Sequence, residues 1–546
     1  LEERNRLTLG IALVVAFLIL FLRLGAAPLL DPDEARFART SVEMMRSRDY
    51  VVPSFEGAPR LQKPPLLHWI QTALFRVAGP SELLARAPAA VSMFATVLLI
   101  SWIGWRRFGD EGAAWSVAFI STFPVVVVIG RVGTLDALLA VHVTAVLALD
   151  TVQPEHGGLQ RSAVLGGLLG LAFLAKGPVG VVLPLLMMLA GRTASGRDVL
   201  PSPKTVITAL LAWCAVVLPW GLVFAERIGW GNVLALVRHE AVERAVSGTA
   251  HVRPWSYLIS VSLVAFLPWV GPLIIGIGRA FARLRDPDSP TGPYAAAAFL
   301  AGLAFFSLSK GKLASYVLPL APCAALIVVF ELGQELVHPR KRRLGSALVA
   351  MTLVATAVAL GVAAVGGALG LEGFERVQGL ALDVAIGGAV LYAVGSLVSL
   401  YGAMRPDPRL VYGVAALTSA AFALVAVAAS PPILAATRSA KPLVDRVPAL
   451  SSSRPVVLVD LNLPSLTYYA DRATEKVELG ALAARLDRGD RPLVVVDEAD
   501  MFKLPVAVRE HLREVARGSS VVVYEPVEAA SAVPERTQDE SAANVP

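Results

Sequence analysis

Ile11-Ala12-Leu13-Val14-Val15-Ala16-Phe17-Leu18-Ile19-Leu20-Phe21-Leu22 is an unbroken apolar run, and shortly after it the chain reads Asp31-Pro32-Asp33-Glu34-Ala35-Arg36-Phe37-Ala38-Arg39. With its flanks, over 8–30, the apolar stretch reaches the roughly 20 residues that a helix needs to cross a bilayer. The second stretch puts three carboxylates and two guanidiniums at its end. Charges at a membrane boundary are costly unless they are paired or used. This juxtaposition sets the reading of the whole chain: spans that carry polar clusters to a membrane surface.

Working outward by the same rule gives about thirteen candidate spans. They lie near 8–30, 83–104, 112–130, 134–150, 163–175, 177–191, 205–225, 257–278, 294–309, 313–333, 345–370, 380–402 and 411–430. Only Lys176-Gly177-Pro178 separates the fifth from the sixth. The composition agrees. Of 546 residues, 55% are hydrophobic and 17% charged, against about 25% charged in a soluble domain. A soluble enzyme and a disordered protein are both excluded. The net charge of +6 points to cytoplasmic loops before nucleic acid. Cys214 and Cys323 both sit in apolar runs. They build neither a disulfide framework nor a Cys/His metal cluster.

Lysine and arginine mark the cytoplasmic side of a span. They fall in alternate loops: Arg106-Arg107; Arg161; Arg192, Arg197 and Lys204; Arg279, Arg283 and Arg285; Arg340 to Arg343; Arg405 and Arg409. The alternation holds with an odd number of spans, a cytoplasmic N-terminus and an outer C-terminus. Were 163–191 a single span, every later loop would invert, so the charge bias favours thirteen. The start does not read as a cleavable signal, because its apolar stretch is long and no small-residue cleavage site follows. The expected plan is a polytopic α-helical membrane domain over 1–430, with a large first outer loop at 31–82 and another at 226–256. In the first loop Pro64-Pro65-Leu66-Leu67-His68-Trp69-Ile70 predicts a short interfacial helix started by proline. From 431 to 526 the pattern turns to a small periplasmic α/β domain. Its strands are read at 455–460, 493–497 and 521–524, and its helices at 479–488 and 505–516. The tail 527–546, rich in Ala, Ser, Glu and Pro, is expected to be disordered.

Five polar clusters fall on the outer side. In 31–39, a carboxylate can serve an acceptor oxygen and an arginine fork suits phosphate; the plain alternative is a capped helix start. Around Arg60 to Pro65, Lys63 suits a phosphate or simply snorkels. In Arg131 to Asp136 an acid stands at the mouth of a span, or forms a local Arg131–Asp136 pair. In Arg238 to Arg244 the candidates are His239, Glu240 and Arg244, or the stretch is a solvated charged face. Ser309 to Tyr316 carries Lys310 and Lys312 against the positive-inside trend, which suits an anionic partner. Together they suit an amphiphile with a phosphate head better than a channel, whose charges line the spans themselves.

These clusters resemble the aminoarabinose transferase-like branch of the GT-C membrane glycosyltransferases, related to the protein O-mannosyltransferases. The resemblance covers about 1–430 and runs through ordered motifs. These are Asp33-Glu34-Ala35-Arg36-Phe37-Ala38, Lys63-Pro64-Pro65-Leu66-Leu67-His68-Trp69, Leu174-Ala175-Lys176-Gly177-Pro178, Leu267-Pro268-Trp269, and Phe306 through Tyr316. It implies a GT-C fold and an inverting transfer of sugar from a polyprenyl-phosphate donor to an acceptor, lipid A or another envelope glycolipid. It places the reaction at the outer face of a bacterial inner membrane, among membrane lipids and without nucleic acid. It implies that Asp33 is the catalytic carboxylate and Asp136 a second acidic position. Glu34, Arg36, Lys63, His239, Glu240, Arg244, Lys312 and Tyr316 would bind substrate, with Arg36 and Lys63 holding phosphate. The alternatives are a protein- or oligosaccharide-directed GT-C transferase, and a transporter or flippase of lipid-linked sugars.

The sequence departs from that pattern in places. Gln62 stands where the family often has a glutamate that can bind metal. Glu240 falls at the position of the second ligand, a histidine in the family, with His239 one residue earlier. A divalent metal is the one cofactor the resemblance brings, and Gln62 with Glu240 is a poor zinc set. Phe37 replaces a usual tyrosine. These changes bear more on which sugar and acceptor are used than on the reaction type.

Overall fold

The computed structural model describes residues 2–152, 158–238, 252–286, 289–337, 343–371, 378–486, 488, 490–504, 506–518 and 521–527. Contacts divide the chain into two units: Leu1–Leu29 with Arg36–Leu434, and Leu30–Ala35 with Ala435–Pro546.

The first unit is helical. Among the described residues nine helices are long and apolar enough to cross a membrane, or ten if one bent pair counts as a span. Sequence reading gives about thirteen, and the difference has three sources. Helix α1 (Glu2–Phe21) and α8 (Pro178–Ala194) are apolar but short. The third source is α4 (Glu82–Thr122), whose 41 residues conceal a reversal at Gly109, with φ 74° and ψ −169°. A Cβ placed on Gly104 would stand 2.7 Å from the carbonyl oxygen of Gly112. In one straight helix, positions eight apart lie about 12 Å from each other. The two arms are therefore antiparallel, and only glycine lets their backbones meet this closely.

The same device divides α7 (Gly158–Lys176) from α8. Gly177 takes φ +65°, and a Cβ on Gly180 would collide with the carbonyl of Ala172. The stretch 163–191 is thus two helices. The ends of α6 (Leu135–Val152) carry the consequence. At its start Asp136 meets Lys176. At its other end Asp150 meets Arg161, Arg192 and Arg197 at 3.0, 2.6 and 3.2 Å. Arg161, Arg192 and Arg197 therefore sit at one end of α6 and the α7–α8 turn at the other.

The core lies where α4, α6, α13 (Thr291–Leu308) and the helical stretch Ala314–Val337 pack. Helices α11 (Tyr257–Ala265) and α12 (Val270–Phe281) meet at 115°. Trp269 sits at that break, fully buried, and its indole N–H donates to Thr122 Oγ1 at 2.9 Å. The first loop is ordered: α2 (Asp33–Ser47), a two-strand hairpin of β1 (Ser54–Phe55) and β2 (Ala58–Pro59), and α3 (Leu66–Ala78). Pro65 stands before α3, as expected for a proline-started helix.

The second unit holds a five-stranded sheet in the order β4-β3-β5-β7-β6. Strands β3 (Val456–Val459), β4 (Glu475–Val477) and β5 (Leu493–Asp497) run parallel; β7 (Val521–Pro526) pairs antiparallel with β5 and with β6 (Leu512–Arg517). The helix expected over 505–516 is corrected. Only Val506–Glu510 is helical, and Leu512–Arg517 is an edge strand returning antiparallel beside β7. Most of its residues are exposed, as an edge position allows. The tail 528–546 lies outside the described residues.

Candidate active site

Asp136 stands in the first turn of α6, where the helix dipole favours a carboxylate. Lys176 closes α7, where the dipole favours a cation. The two ends meet. The Lys176 ammonium donates to Asp136 Oδ1, and both side chains are 12% exposed. Thr134 Oγ1 donates to the other carboxylate oxygen at 3.3 Å. Lys176 Nζ also lies 4.9 Å from the centroid of the Tyr316 ring, within cation–π range. Tyr316, in a 3-10 turn (Ala314–Leu320), packs against Phe306 with ring centroids 4.9 Å apart. The local Arg131–Asp136 pair does not form: Arg131 donates instead to the carbonyls of Ile19 and Leu22.

Gly177 draws in the next piece. A Cβ there would lie 3.8 Å from Pro64 Cγ, so the Lys63-Pro64-Pro65 loop runs beside the α7–α8 turn. Beneath it Phe37, Leu67, Leu135, Leu138 and Ala175 form one apolar cluster. They come from α2, α3, α6 and α7. Arg36 precedes Phe37 on α2, and Lys63 lies three residues before α3. The first unit thus gathers the Lys63 loop, Asp136, Lys176 and Tyr316 around one apolar patch at one end of its helices.

Three further groups, passed over in the sequence, stiffen that patch. Arg60 stacks over the Phe37 ring at 4.5 Å and donates to Thr40 Oγ1 at 3.2 Å. His68 is fully buried against Phe37, with Nδ1 3.0 Å from Ser41 Oγ. Ser41 donates to Gln71 Oε1 at 2.7 Å. Burial, and secondarily the charge of Arg60, pushes the His68 imidazole down to about 3. It is neutral at physiological pH, and its buried Nε2 has no hydrogen-bond partner among the described residues. Lys176 was legible only as part of a motif, because its partner is 40 residues away.

The remaining candidates divide. Lys312 is buried, 3% exposed, and donates to the carbonyl of Arg253 at 3.0 Å. It fastens the turn at 310–312 to the strand-like pairing of Val252 with Gly311. Within the second unit Asp31 accepts from the backbone N–H of Ser465 at 2.7 Å and from its hydroxyl. Glu34, 1% exposed, accepts from the N–H of Leu30 at 2.9 Å, a helix-capping role. Asp33 is the first residue of α2. His239, Glu240 and Arg244 lie outside the described residues. Gln62 is exposed and offers only a neutral amide oxygen. Among the described residues no group of three or more His, Cys, Asp or Glu is placed to hold a metal.

Comparison with known proteins covers part of this site. The family described as dolichyl-phosphate-mannose-protein mannosyltransferase matches residues 62–221. The chain is 31% identical over 337 residues to undecaprenyl phosphate-alpha-4-amino-4-deoxy-L-arabinose arabinosyl transferase 2 of Sodalis glossinidius. It is 28% identical over 327 residues to the corresponding transferase of Aeromonas hydrophila. Each alignment spans 58% of this chain and 58% of the relative's length. The fold matches ArnT from Cupriavidus metallidurans bound to undecaprenyl phosphate, with TM-score 0.73 and 22% identity over 96% of this chain and 98% of that one. The apo form of that protein gives 0.75 at 20% identity over the same shares. The likeness to the aminoarabinose transferase-like GT-C branch is therefore present in sequence and in fold.

Proposed function

We propose that the chain is an inverting glycosyltransferase that moves a sugar from a polyprenyl-phosphate donor to an envelope glycolipid, with lipid A the leading acceptor class, at the outer face of the bacterial inner membrane. The observation that carries this reading is the gathering of the Lys63 loop, the Asp136–Lys176 pair and Tyr316 on an apolar patch at one end of the helices. Such a site takes an amphiphile with a charged head. The names of the relatives supply the donor class, an undecaprenyl-phosphate-linked sugar. A bilayer-facing entry spares the isoprenoid tail from water, each CH₂ being worth about 0.8 kcal/mol.

In the reaction the acceptor oxygen attacks the anomeric carbon as the bond to the donor phosphate breaks. The electron pair leaves with the phosphate, which needs little protonation near neutral pH. Cations on that phosphate then matter more than a general acid. Lys63 and Arg36 take that role. Asp33 orients the acceptor or removes its proton. Lys176 keeps the Asp136 carboxylate in place beside Tyr316.

The test is reconstitution with a radiolabelled polyprenyl-phosphate sugar and an extract of envelope lipids. Label moves to lipid with the parent protein and stays on the donor with Asp33→Asn. Normal turnover of Asp33→Asn removes that residue from the mechanism, and no transfer by the parent to any lipid sinks the reading.

A further inference from the structure

Residues 30–35 cluster with the second unit, although α1 and most of α2 belong to the first. The grip on this segment is at Asp31. Ser465 gives Asp31 two donors, its backbone N–H to Oδ1 at 2.7 Å and its hydroxyl to Oδ2. Hydrogen bonds to a carboxylate are the strong kind. Ser465 is fully buried, and its hydroxyl oxygen accepts the N–H of Ala440 at 2.8 Å. That bond leaves the one hydroxyl proton for Asp31. Ala440 and Leu466 beside it belong to an apolar core shared with Val456, Leu458 and Leu493 of the sheet. The Asp31 N–H in turn donates to the carbonyl of Arg438 at 2.9 Å. Asp31 is held by side chain and backbone at once.

The segment also closes on itself. The Leu30 N–H donates to the Glu34 carboxylate at 2.9 Å, and the Ala35 N–H to the carbonyl of Leu30 at 3.1 Å. Asp33 lies inside this closed turn and opens α2. Two residues of chain keep its Cα within about 7 Å of that of Asp31. A carboxylate that meets a reacting oxygen needs such support, because a misplacement of about 1 Å can cost about 10²-fold in rate.

We infer that Ser465 is a positioning residue for transfer: through Asp31, the α/β unit fixes the start of α2 and with it the carboxylate of Asp33. The inference rests on the role given to Asp33 in the proposed reaction, and its test has one arm that needs no turnover. In that arm hydrogen exchange is followed on the full chain in detergent. Amides of residues 30–35 exchange about tenfold faster or more in Ser465→Ala and Asp31→Ala than in the parent, because the local opening they report becomes easier. Ser465→Ala also strips Ala440 of its acceptor, so Asp31→Ala, which leaves that bond intact, is read beside it. Arg454→Ala gives up bonds to Glu525 and Arg491 elsewhere in the same unit and leaves those amides unchanged. In the second arm transfer from the labelled donor is measured. Ser465→Ala and Asp31→Ala lower kcat about tenfold or more and keep the donor KM within about twofold, the mark of an interaction that matters only in the transition state. Asp31→Asn keeps an acceptor for the Ser465 N–H and a polar partner for its hydroxyl, and stays within about threefold of the parent.

Unchanged exchange in both Ser465→Ala and Asp31→Ala overturns the anchor. Faster exchange with unchanged kcat overturns the positioning role. So does an equal loss of kcat in Arg454→Ala, which would make the effect one of domain stability. An equal loss in Asp31→Asn and Asp31→Ala also overturns it, since Asp31 would then act by its charge. A parent that moves no sugar takes the role in transfer down with the proposed function, while the exchange arm still decides whether Ser465 anchors the segment.

Discussion

Lys63 and His68 lie five residues apart, and their surroundings give them opposite duties. Lys63 is half-buried at the edge of the apolar patch. If it carries donor phosphate charge in the transition state, Lys63→Ala lowers kcat/KM by about 10²-fold or more, because one preorganised charged contact is worth that much. An unchanged rate in the labelled-donor assay would return it to snorkelling. His68 has no such freedom. The unfolded chain binds its proton below about 6.5 and the folded chain only below about 3. Between those values the unfolded state holds more protons, so stability is full above 6.5 and drains away as pH falls. The slope from this one group is about 1.4 kcal/mol per pH unit. Thermal unfolding of the detergent-solubilised protein between pH 7.5 and 5 should show it, and His68→Gln should flatten that limb. The pairing of Asp136 with Lys176 was not legible in the sequence, since residue types fix the sign of a charge and not its partner.

Helices α4, α7 and α8 show how glycine decides the span plan. The reversal at Gly109 hides inside a continuous helical stretch, and Gly104 meets the carbonyl of Gly112 at a distance no side chain allows. Hydropathy alone finds both arms, because the charged residues around Arg106 and Arg107 interrupt the apolar pattern. At the α7–α8 turn hydropathy is ambiguous, and the positive φ of Gly177 resolves it. Gly180→Ala forces a methyl into the carbonyl of Ala172. It should cost about 1–3 kcal/mol as an overpacked contact, read as a fall in melting temperature. Gly167→Ala, with nothing within 4 Å of its Cβ, should leave that temperature unchanged or raise it slightly. In the second unit the misread segment 505–516 shows the converse limit. Short stretches with mixed pattern are claimed by whichever neighbour offers hydrogen bonds, and β7 offers an edge.

Across the whole molecule, charge sorts the loops. The Lys176 turn and the Arg161, Arg192 and Arg197 loops occupy opposite ends of α6, which is the separation that positive-inside sorting produces. In a background with Cys214 and Cys323 replaced by serine, Ala58→Cys reports the first loop and Leu200→Cys the arginine end; both positions are exposed. An impermeant maleimide reaching only the outer surface of the inner membrane should label the first and spare the second. Labelling of Leu200→Cys alone would reverse the proposed orientation.

The sequence by itself carried the apolar stretches, the sorting of lysine and arginine into alternate loops, the proline-started helix and the motifs that carry the resemblance. Each follows from composition and spacing along a single stretch of chain, which solvation reads locally. Only the tertiary structure decided that Asp136 answers Lys176, that Arg131 turns instead to the carbonyls of α1, and that Glu34 and Lys312 are spent on holding backbone. Those outcomes depend on which helix ends meet, and helix packing joins residues that the linear order keeps far apart.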